Sequence, residues 1–481
     1  MQADTQGKQG KGGVEQALVA ALVARARVAQ RVAETYDQQR IDELVVAAGW
    51  AIMEPGRNRA LAELAVLDTG IGSVEDKVRK NHRKTLGLLR DLQYARSVGV
   101  IAEHPETGIT EIARPVGVVC AITPSTNPGA TPANKIINAL KGRNAVIVAP
   151  SPKGWSTAEQ LVGYIHAQFD RIGAPRDLVQ LLPAPITKLS TAELMRQCDL
   201  VVATGSGANV RAAYTCGTPA FGVGAGNVAA IIDETADVEA TAERIVRSKT
   251  FDNATSCSSE NSIVVVDAVR KPLLEALARL GAVMLAPAQK DVLQSLMWPD
   301  GKLSPAVIGQ SAEGIAEKAG FADLAGKAPR ILLVEEDAQV GFGPDHPFSG
   351  EKLSPVLTVY AARDFSDAQR IVDCIYAWQG AGHSVGLHST RAERALELGL
   401  HLPVSRVIYN QAHSIATGGS FDNGLPFSLS MGCGTWGKNN FSDNMNYRHY
   451  LNIARVSIAI AENIPTETDI FGSLFARYGR A

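Results

Sequence analysis

Short apolar runs alternating with stretches of helical spacing constrain this chain more than any other feature. AVIVAP (Ala145–Pro150), LVQLLP (Leu178–Pro183) and DLVVATG (Asp199–Gly205) read as buried parallel strands, with a helix-like segment over Thr157–Ile172 between the first two. A second series follows: SIVVVD (Ser262–Asp267), a helix from about Pro272 to Leu280, AVMLA, RILLVE, VLTVYA, a helix from Ser366 to Trp378, and HSVGLHS (His383–Ser389). Strand and helix repeated in this way predict an α/β fold of two doubly wound domains. The 481 residues exceed one ordinary core, and 46% hydrophobic residues supply the buried sheets. Ahead of the strands, Val14, Leu18, Ala21, Leu22, Val28, Ala29 and Val32 recur at helical spacing, interrupted by Arg25, and helical patterns continue to about Gln93.

Several classes of function are disfavoured. A net charge of −2 argues against a basic nucleic-acid surface. No apolar run approaches the roughly 20 residues that a membrane helix needs. The six cysteines (Cys120, Cys198, Cys216, Cys257, Cys374 and Cys433) have neither disulfide-framework nor zinc-ligand spacing, which points to a reducing, cytoplasmic setting. Residues 1–13 are polar, lack the apolar core of a secretory signal, and are expected to form a disordered tail.

The segment TFDNATSCSSEN sets Cys257 among small polar residues between a helix-like stretch (Thr241–Lys249) and a strand-like one. An accessible thiolate without bulky neighbours is what attack on a carbonyl carbon requires. Asn127, in ITPSTNPGATPANK, lies in a loop stiffened by Pro124 and Pro128, where its amide could serve a developing oxyanion or merely cap a turn. Gly205, Ser206 and Gly207 follow a strand and open a helix, which suits a loop against a dinucleotide, though the motif is not a full GxGxxG. Gly222, Gly224 and Gly226 allow close backbone approach or a plain bend. Glu351 stands before an apolar strand, as a ligand for sugar hydroxyls or as a solvated charge. His383 follows Gly380 and Gly382 at a strand entrance, as a proton carrier or a structural histidine.

KTFDNATSC, AAYTCGTPAFGVGAGN, EKLSPV and SMGCGTWGKNNFSDN, in that order, resemble the CoA-acylating branch of the aldehyde dehydrogenase superfamily, from about Val14 to the end. The resemblance implies a cofactor-binding domain over 14–230, a catalytic domain over 231–420, and a segment over 421–481 completing the site and oligomer contacts. It implies Cys257 as nucleophile, Asn127 with the Cys257 N–H as oxyanion donors, Glu351 on the nicotinamide ribose, and His383 in proton transfer. Gly205, Ser206 and Gly224 fall to the cofactor. Hydrolytic relatives carry a glutamate in a Glu-Leu-Gly-Gly-Lys run. Here the stretch is FGVGAGNV, Val223 falls near the glutamate's place, and no carboxylate lies between Phe221 and Ile232. Without a base for water, the acyl-enzyme is expected to pass to CoA.

The stretch SPKGWS after AVIVAP, with Ser151 and Lys153 and no acid before Glu159, leans toward NADP over NAD. The expected partners are a small aldehyde and CoA, with the chain as a homo-oligomer to which the run around Gly108–Ile112 contributes. No metal is implied. Overall similarity puts sulfoacetaldehyde first among substrates, then succinate semialdehyde and acetaldehyde. Lys438, Arg448 and His449 could meet an anionic tail or be surface charges, and Cys433 could sit close to the site. A hydrolytic aldehyde dehydrogenase, an acyl-phosphate reductase and a non-enzymatic scaffold remain as alternatives.

Overall fold

The computed structural model describes residues 3–480. Four helices come first: α1 (Ala3–Glu34), α2 (Gln38–Met53), α3 (Pro55–Thr69) and α4 (Val74–Leu92). Their boundaries follow from local chemistry. Asp37 caps α2 by accepting from the Arg40 N–H. Pro55 opens α3 where no donor is needed, and Ser73 caps α4 ahead of Glu75 and Asp76, with Arg90 in its last turn. Residues 3–13, expected as a tail, lie within α1, because a helix can continue through polar residues while its later turns are anchored; Met1 and Gln2 lie outside the described residues. The stripe read from sequence is not the packed face of α1: Val14, Leu18, Ala21, Val28 and Val32 are exposed, and the buried face is Val19, Leu22, Val23, Ala26, Ala29 and Ala33, off which Arg25 reaches Gln180.

Strands β1 (Gly99–His104) and β2 (Ile109–Pro115) form an antiparallel hairpin. The next five are β3 (Val118–Thr123), β4 (Ala145–Pro150), β5 (Val179–Leu181), β6 (Leu200–Thr204) and β7 (Ala220–Val223). They make a parallel sheet in the order β5-β4-β3-β6-β7. The order reverses between β3 and β6, so the connections leave in opposite directions and a crevice opens beyond the carboxyl ends of these two strands.

Seven further strands are β8 (Val228–Ile232), β9 (Glu260–Val266), β10 (Ala282–Met284), β11 (Ile331–Glu335), β12 (Val356–Ala362), β13 (Val385–His388) and β14 (Val407–Tyr409). They form a second parallel sheet, ordered β10-β11-β12-β9-β8-β13-β14. The last strand, β15 (Leu451–Ser457), returns to pair antiparallel with β2. The expected two parallel α/β sheets are present, together with this three-stranded arm. Because β8 pairs with β9 and β13, residues 228–230 belong to the second sheet and not to the cofactor half in which they were expected. Phe427, Phe441, Met445 and Tyr450 pack into the core around the first sheet, so the C-terminal segment folds back over that half.

Candidate active site

The site lies where two sheet edges face each other. From the first sheet come loops at carboxyl ends: Pro124–Asn127 after β3, Ser151 and Lys153 after β4, and Gly205–Ser206 after β6. From the second come loops at amino ends: Gly226 before β8, Cys257 before β9, Glu351 before β12 and His383 before β13. Those four strands are consecutive neighbours in the sheet, which brings together four residues spread over more than 150 positions.

A cleft of about 730 Å³ is lined by Asn127, Ser151, Lys153, Gly205, Ser206, Gly224, Cys257 and Glu351 among others. Eight of the nine residues expected to serve catalysis or the cofactor therefore share one cavity, His383 being the ninth. Gly205 takes φ 148°, a conformation that leaves the chain free to turn from β6 into the helix Gly207–Thr215. Ser206 caps that helix. Its amino end thus opens at the cleft beside Gly205 and Ser206, which fits a pyrophosphate. The exposed Lys153 adds a cation, and Glu351 is the one carboxylate among the cleft-lining residues. This donor set fits a nicotinamide dinucleotide.

Cys257 is half-buried. Burial pushes its thiol up, as do Glu351 and Cys433, while Arg406 pulls it down. Its N–H donates to no other backbone carbonyl among the described residues, leaving it available to an oxyanion. The turn leading to it is strained: Asp252, Asn253 and Ala254 all have positive φ, 49°, 50° and 57°. Left-handed non-glycine residues each cost roughly 1–2 kcal/mol. An ion cluster holds the turn in place. The Asp252 carboxylate takes Lys77 at 3.2 Å, Lys80, and the Ser73 N–H at 2.9 Å. Burial pushes this carboxyl up, but Lys80 and Lys77 outweigh it and hold the group below its usual range. Burial also lowers Lys77 to about 8.

Asn127 does not cap a turn. Its Oδ1 accepts from Lys80 Nζ at 2.8 Å, which turns the amide nitrogen away from the lysine. Lys80 therefore links the strained turn to the candidate oxyanion donor. The Glu351 carboxylate accepts from the Gly226 N–H at 3.0 Å, and burial raises it to about 7. Gly226 is sterically required: a Cβ there would lie 2.4 Å from the Cys257 carbonyl oxygen and 2.8 Å from His383 Cδ2.

His383 does not line the cleft. It sits behind Gly226, with Nδ1 2.7 Å from Ser384 Oγ and Nε2 without a partner among the described residues. Burial, then Arg406 and His413, push its imidazole down to about 3. It is neutral at ordinary pH and can accept a proton but has none to give as an imidazolium.

Val223 is buried in the first sheet's core and does not line the cleft; its neighbours Gly224 and Ala225 do. On the other side of Cys257 lies a narrow pocket of about 30 Å³ that shares Asn127, Ser256, Leu429 and Met431 with the cleft. It carries Lys80, Arg83 and Lys84 and opens, past Arg83, Phe251 and Ile415, into an outer vestibule of about 1090 Å³. Lys438 and Arg448 are exposed, and His449 packs edge-on against Phe221 and Phe441, so none of these three meets the pocket. The cations come instead from α4, where Lys77, Lys80 and Lys84 share one helix face that in the sequence reads as ordinary charged surface. Cys433 is buried near Cys257, and each thiol disfavours ionisation of the other. Arg406 was also not foreseen; it ties the His383 carbonyl to those of Gly432 and Ser442.

A family model described as "Aldehyde dehydrogenase family" matches residues 8–288. The chain is 65% identical to a sulfoacetaldehyde dehydrogenase (acylating) of Cupriavidus necator, over 96% of this chain and 93% of the relative. It is 36% identical to a succinate-semialdehyde dehydrogenase (acetylating) of Clostridium kluyveri, over 94% and 98%. Among solved structures, an acetylating aldehyde dehydrogenase from Geobacillus thermoglucosidasius superposes with a TM-score of 0.89 at 33% identity, covering 95% of this chain and 99% of that one.

Proposed function

The chain belongs to the aldehyde dehydrogenase family, and from that premise we propose that it oxidises a small aldehyde to its acyl-CoA with NAD(P)+ and CoA. The observation that carries this reading is the supply of bases around Cys257. The aldehyde-side pocket has no carboxylate among its lining residues, and the cofactor cleft has only Glu351, held by the Gly226 N–H. A hydrolytic enzyme needs a base on water, whereas a thiol nucleophile needs far less help at neutral pH.

In this mechanism Cys257 loses its proton and its sulfur bonds to the aldehyde carbon. The Cys257 N–H and the Asn127 amide meet the resulting oxyanion. A bound nicotinamide would supply the acceptor for the hydride on that carbon. The proton that Cys257 gives up, and later that of the CoA thiol, pass by way of the neutral His383 Nε2 to solvent, which leaves the imidazole neutral again before each half-reaction. Attack by the CoA sulfur then breaks the bond to Cys257 and returns the thiolate. Glu351 holds the nicotinamide ribose, while Gly205, Ser206 and Gly224 border the pyrophosphate. Because one cleft serves both nicotinamide and CoA, the kinetics are ping-pong.

Sulfoacetaldehyde is the leading substrate, supported by the 65% identical relative of that name, with succinate semialdehyde next. Ser151 and Lys153 favour NADP, since a cation at the end of β4 suits a 2′-phosphate. Asp68 lies near but is engaged by Ser156, the Thr157 hydroxyl and the Thr157 N–H. No described helix is long and apolar enough to cross a membrane, and we place the enzyme in the cytoplasm. The arm of β1, β2 and β15, followed by exposed Ile458, Ile460, Ile464 and Phe471, takes a second copy of the chain.

The test is NAD(P)H formation with sulfoacetaldehyde, succinate semialdehyde and acetaldehyde, with and without CoA. Turnover requiring CoA is expected; equal turnover without it would refute the acylating reading. Mass measurement in solution, with and without residues 458–481, checks the assembly.

A further inference from the structure

Two basic side chains of the aldehyde-side pocket make no direct ion pair among the described residues, Asp422 acting on Arg83 only from a distance. Lys84 is buried, with 8% of its surface exposed, and its Nζ donates to the Gly418 carbonyl at 2.6 Å, which uses one of three donors. Arg83 is half-buried; its Nη2 reaches the carbonyls of Ile415 and Gly419 and the Ser420 hydroxyl at 3.0–3.1 Å, leaving Nε and Nη1 without protein partners. Neither makes an ion pair among the described residues, in contrast to Lys77 and Lys80 on the same helix, which share Asp252. A buried charge without a counter-ion is costly unless a ligand supplies one. Burial, then Arg83 and Lys80, push the Lys84 ammonium well down, and an incoming anion would reverse that.

The surroundings point to the anion. Ser256 and Ser258, whose hydroxyls lie 2.7 Å apart, and Ser428 line the same pocket. The Ser428 hydroxyl is spent on the Ser430 carbonyl and one proton is shared within the Ser256–Ser258 pair, so the free donors are those of Arg83 Nε and Nη1, Lys84 Nζ and one hydroxyl of that pair; they outnumber the two oxygens of a carboxylate and suit the three of a sulfonate. The pocket's 30 Å³ has room for roughly two water-sized groups, so a charge bound within it sits a short way from the carbonyl carbon, and only a longer tail would reach the vestibule past Arg83. Its contact with Ser256 and Asn127 places that carbon beside Cys257.

We infer that Arg83 and Lys84 bind the anionic tail of the aldehyde, a sulfonate, and thereby select the substrate. This rests on the proposed acylating reaction. The test compares kcat/KM for sulfoacetaldehyde, succinate semialdehyde and neutral propionaldehyde in the wild type, Arg83→Gln, Arg83→Lys and Lys84→Met, at saturating CoA. Losing one charge-assisted contact is expected to lower the sulfoacetaldehyde-to-propionaldehyde ratio by about 10–100-fold, chiefly through KM, with partial rescue in Arg83→Lys. Ethanesulfonate should compete with sulfoacetaldehyde in the wild type and lose that effect in the variants. Equal losses on both aldehydes would mean a structural role and overturn the assignment. Wild-type preference for succinate semialdehyde would overturn the sulfonate. Should Lys84→Met fail to fold, the Arg83 pair decides. Should the wild type turn over without CoA, the acylating reading fails, yet protection of Cys257 from iodoacetamide by ethanesulfonate still judges the pocket; absence of protection overturns it.

Discussion

Replacing Lys80 with Met separates the fold of the active-site turn from the chemistry it supports. Lys80 Nζ touches three groups: the Asp252 carboxylate, Asn127 Oδ1 at 2.8 Å and Thr255 Oγ1 at 3.2 Å. Breaking a buried ion pair ordinarily costs about 3–5 kcal/mol. Here Asp252 keeps Lys77, the Ser73 N–H and the Thr255 hydroxyl, so the cost should fall below that range, at about 2 kcal/mol. The catalytic loss has a different source. Without Lys80 the Asn127 amide is free to rotate, and its nitrogen faces the oxyanion only part of the time. Removing an oxyanion donor outright costs about 100–1,000-fold in kcat, so a misoriented one should cost roughly 10–100-fold. The assay is CoA-dependent NAD(P)H formation, measured well below the variant's melting midpoint, for Lys80→Met, Asn127→Ala and the double variant. If Lys80 acts through Asn127, it should cost less than about 3-fold once Asn127 is gone. Losses that multiply in full would refute the linkage and leave Lys80 a stabiliser of the turn alone.

Cys257→Ala should lose acylating turnover by about a million-fold while still binding the dinucleotide, as cofactor fluorescence would report; retained turnover would sink the nucleophile assignment. Gly226→Ala should lower kcat at least about 100-fold and destabilise by about 1–3 kcal/mol, since the added methyl meets Cys257 and His383; crystals and thermal melts check both. Glu351 sits at about 7 against 4.5 unperturbed, so the folded chain binds its proton more tightly than the unfolded one. That contribution to stability is full below pH 4.5 and lost as pH rises through about 7. Glu351→Gln should therefore flatten the fall in stability between these values, seen in urea melts at pH 5 and pH 8, and an unchanged slope would contradict the assignment.

The strands legible in the sequence were those whose runs are apolar on both faces, such as Ala145–Pro150 and Val356–Ala362. The strand Leu451–Ser457 was not, because it is mostly exposed and gains its place by pairing with β2. Cys257, Asn127 and Glu351 could be found because each sits in a distinctive local run. Apart from Thr255 on Asp252, the side chains of Lys80, Asp252 and Arg406 act through partners as near as 23 and as far as 179 residues away, and no local pattern encodes such distances. Arg83 and Lys84 lie on a helix that reads as an ordinary charged surface. Only packing against Gly418 and Phe427 turns that face inward.

The facing of two sheet edges has an evolutionary consequence. In the proposed mechanism the groups that hold the dinucleotide ride mostly on one sheet and those that handle the acyl sulfur on the other, with Asn127 and Glu351 as the exceptions that reach across. Substitutions after β4 can change the adenosine end of the cofactor without moving the thiol. Changes on the inward face of α4 can alter which aldehyde tail is accepted without touching either. Under that assignment redox partner and substrate tail are two traits on two separate stretches of chain, each open to selection while the other stays fixed.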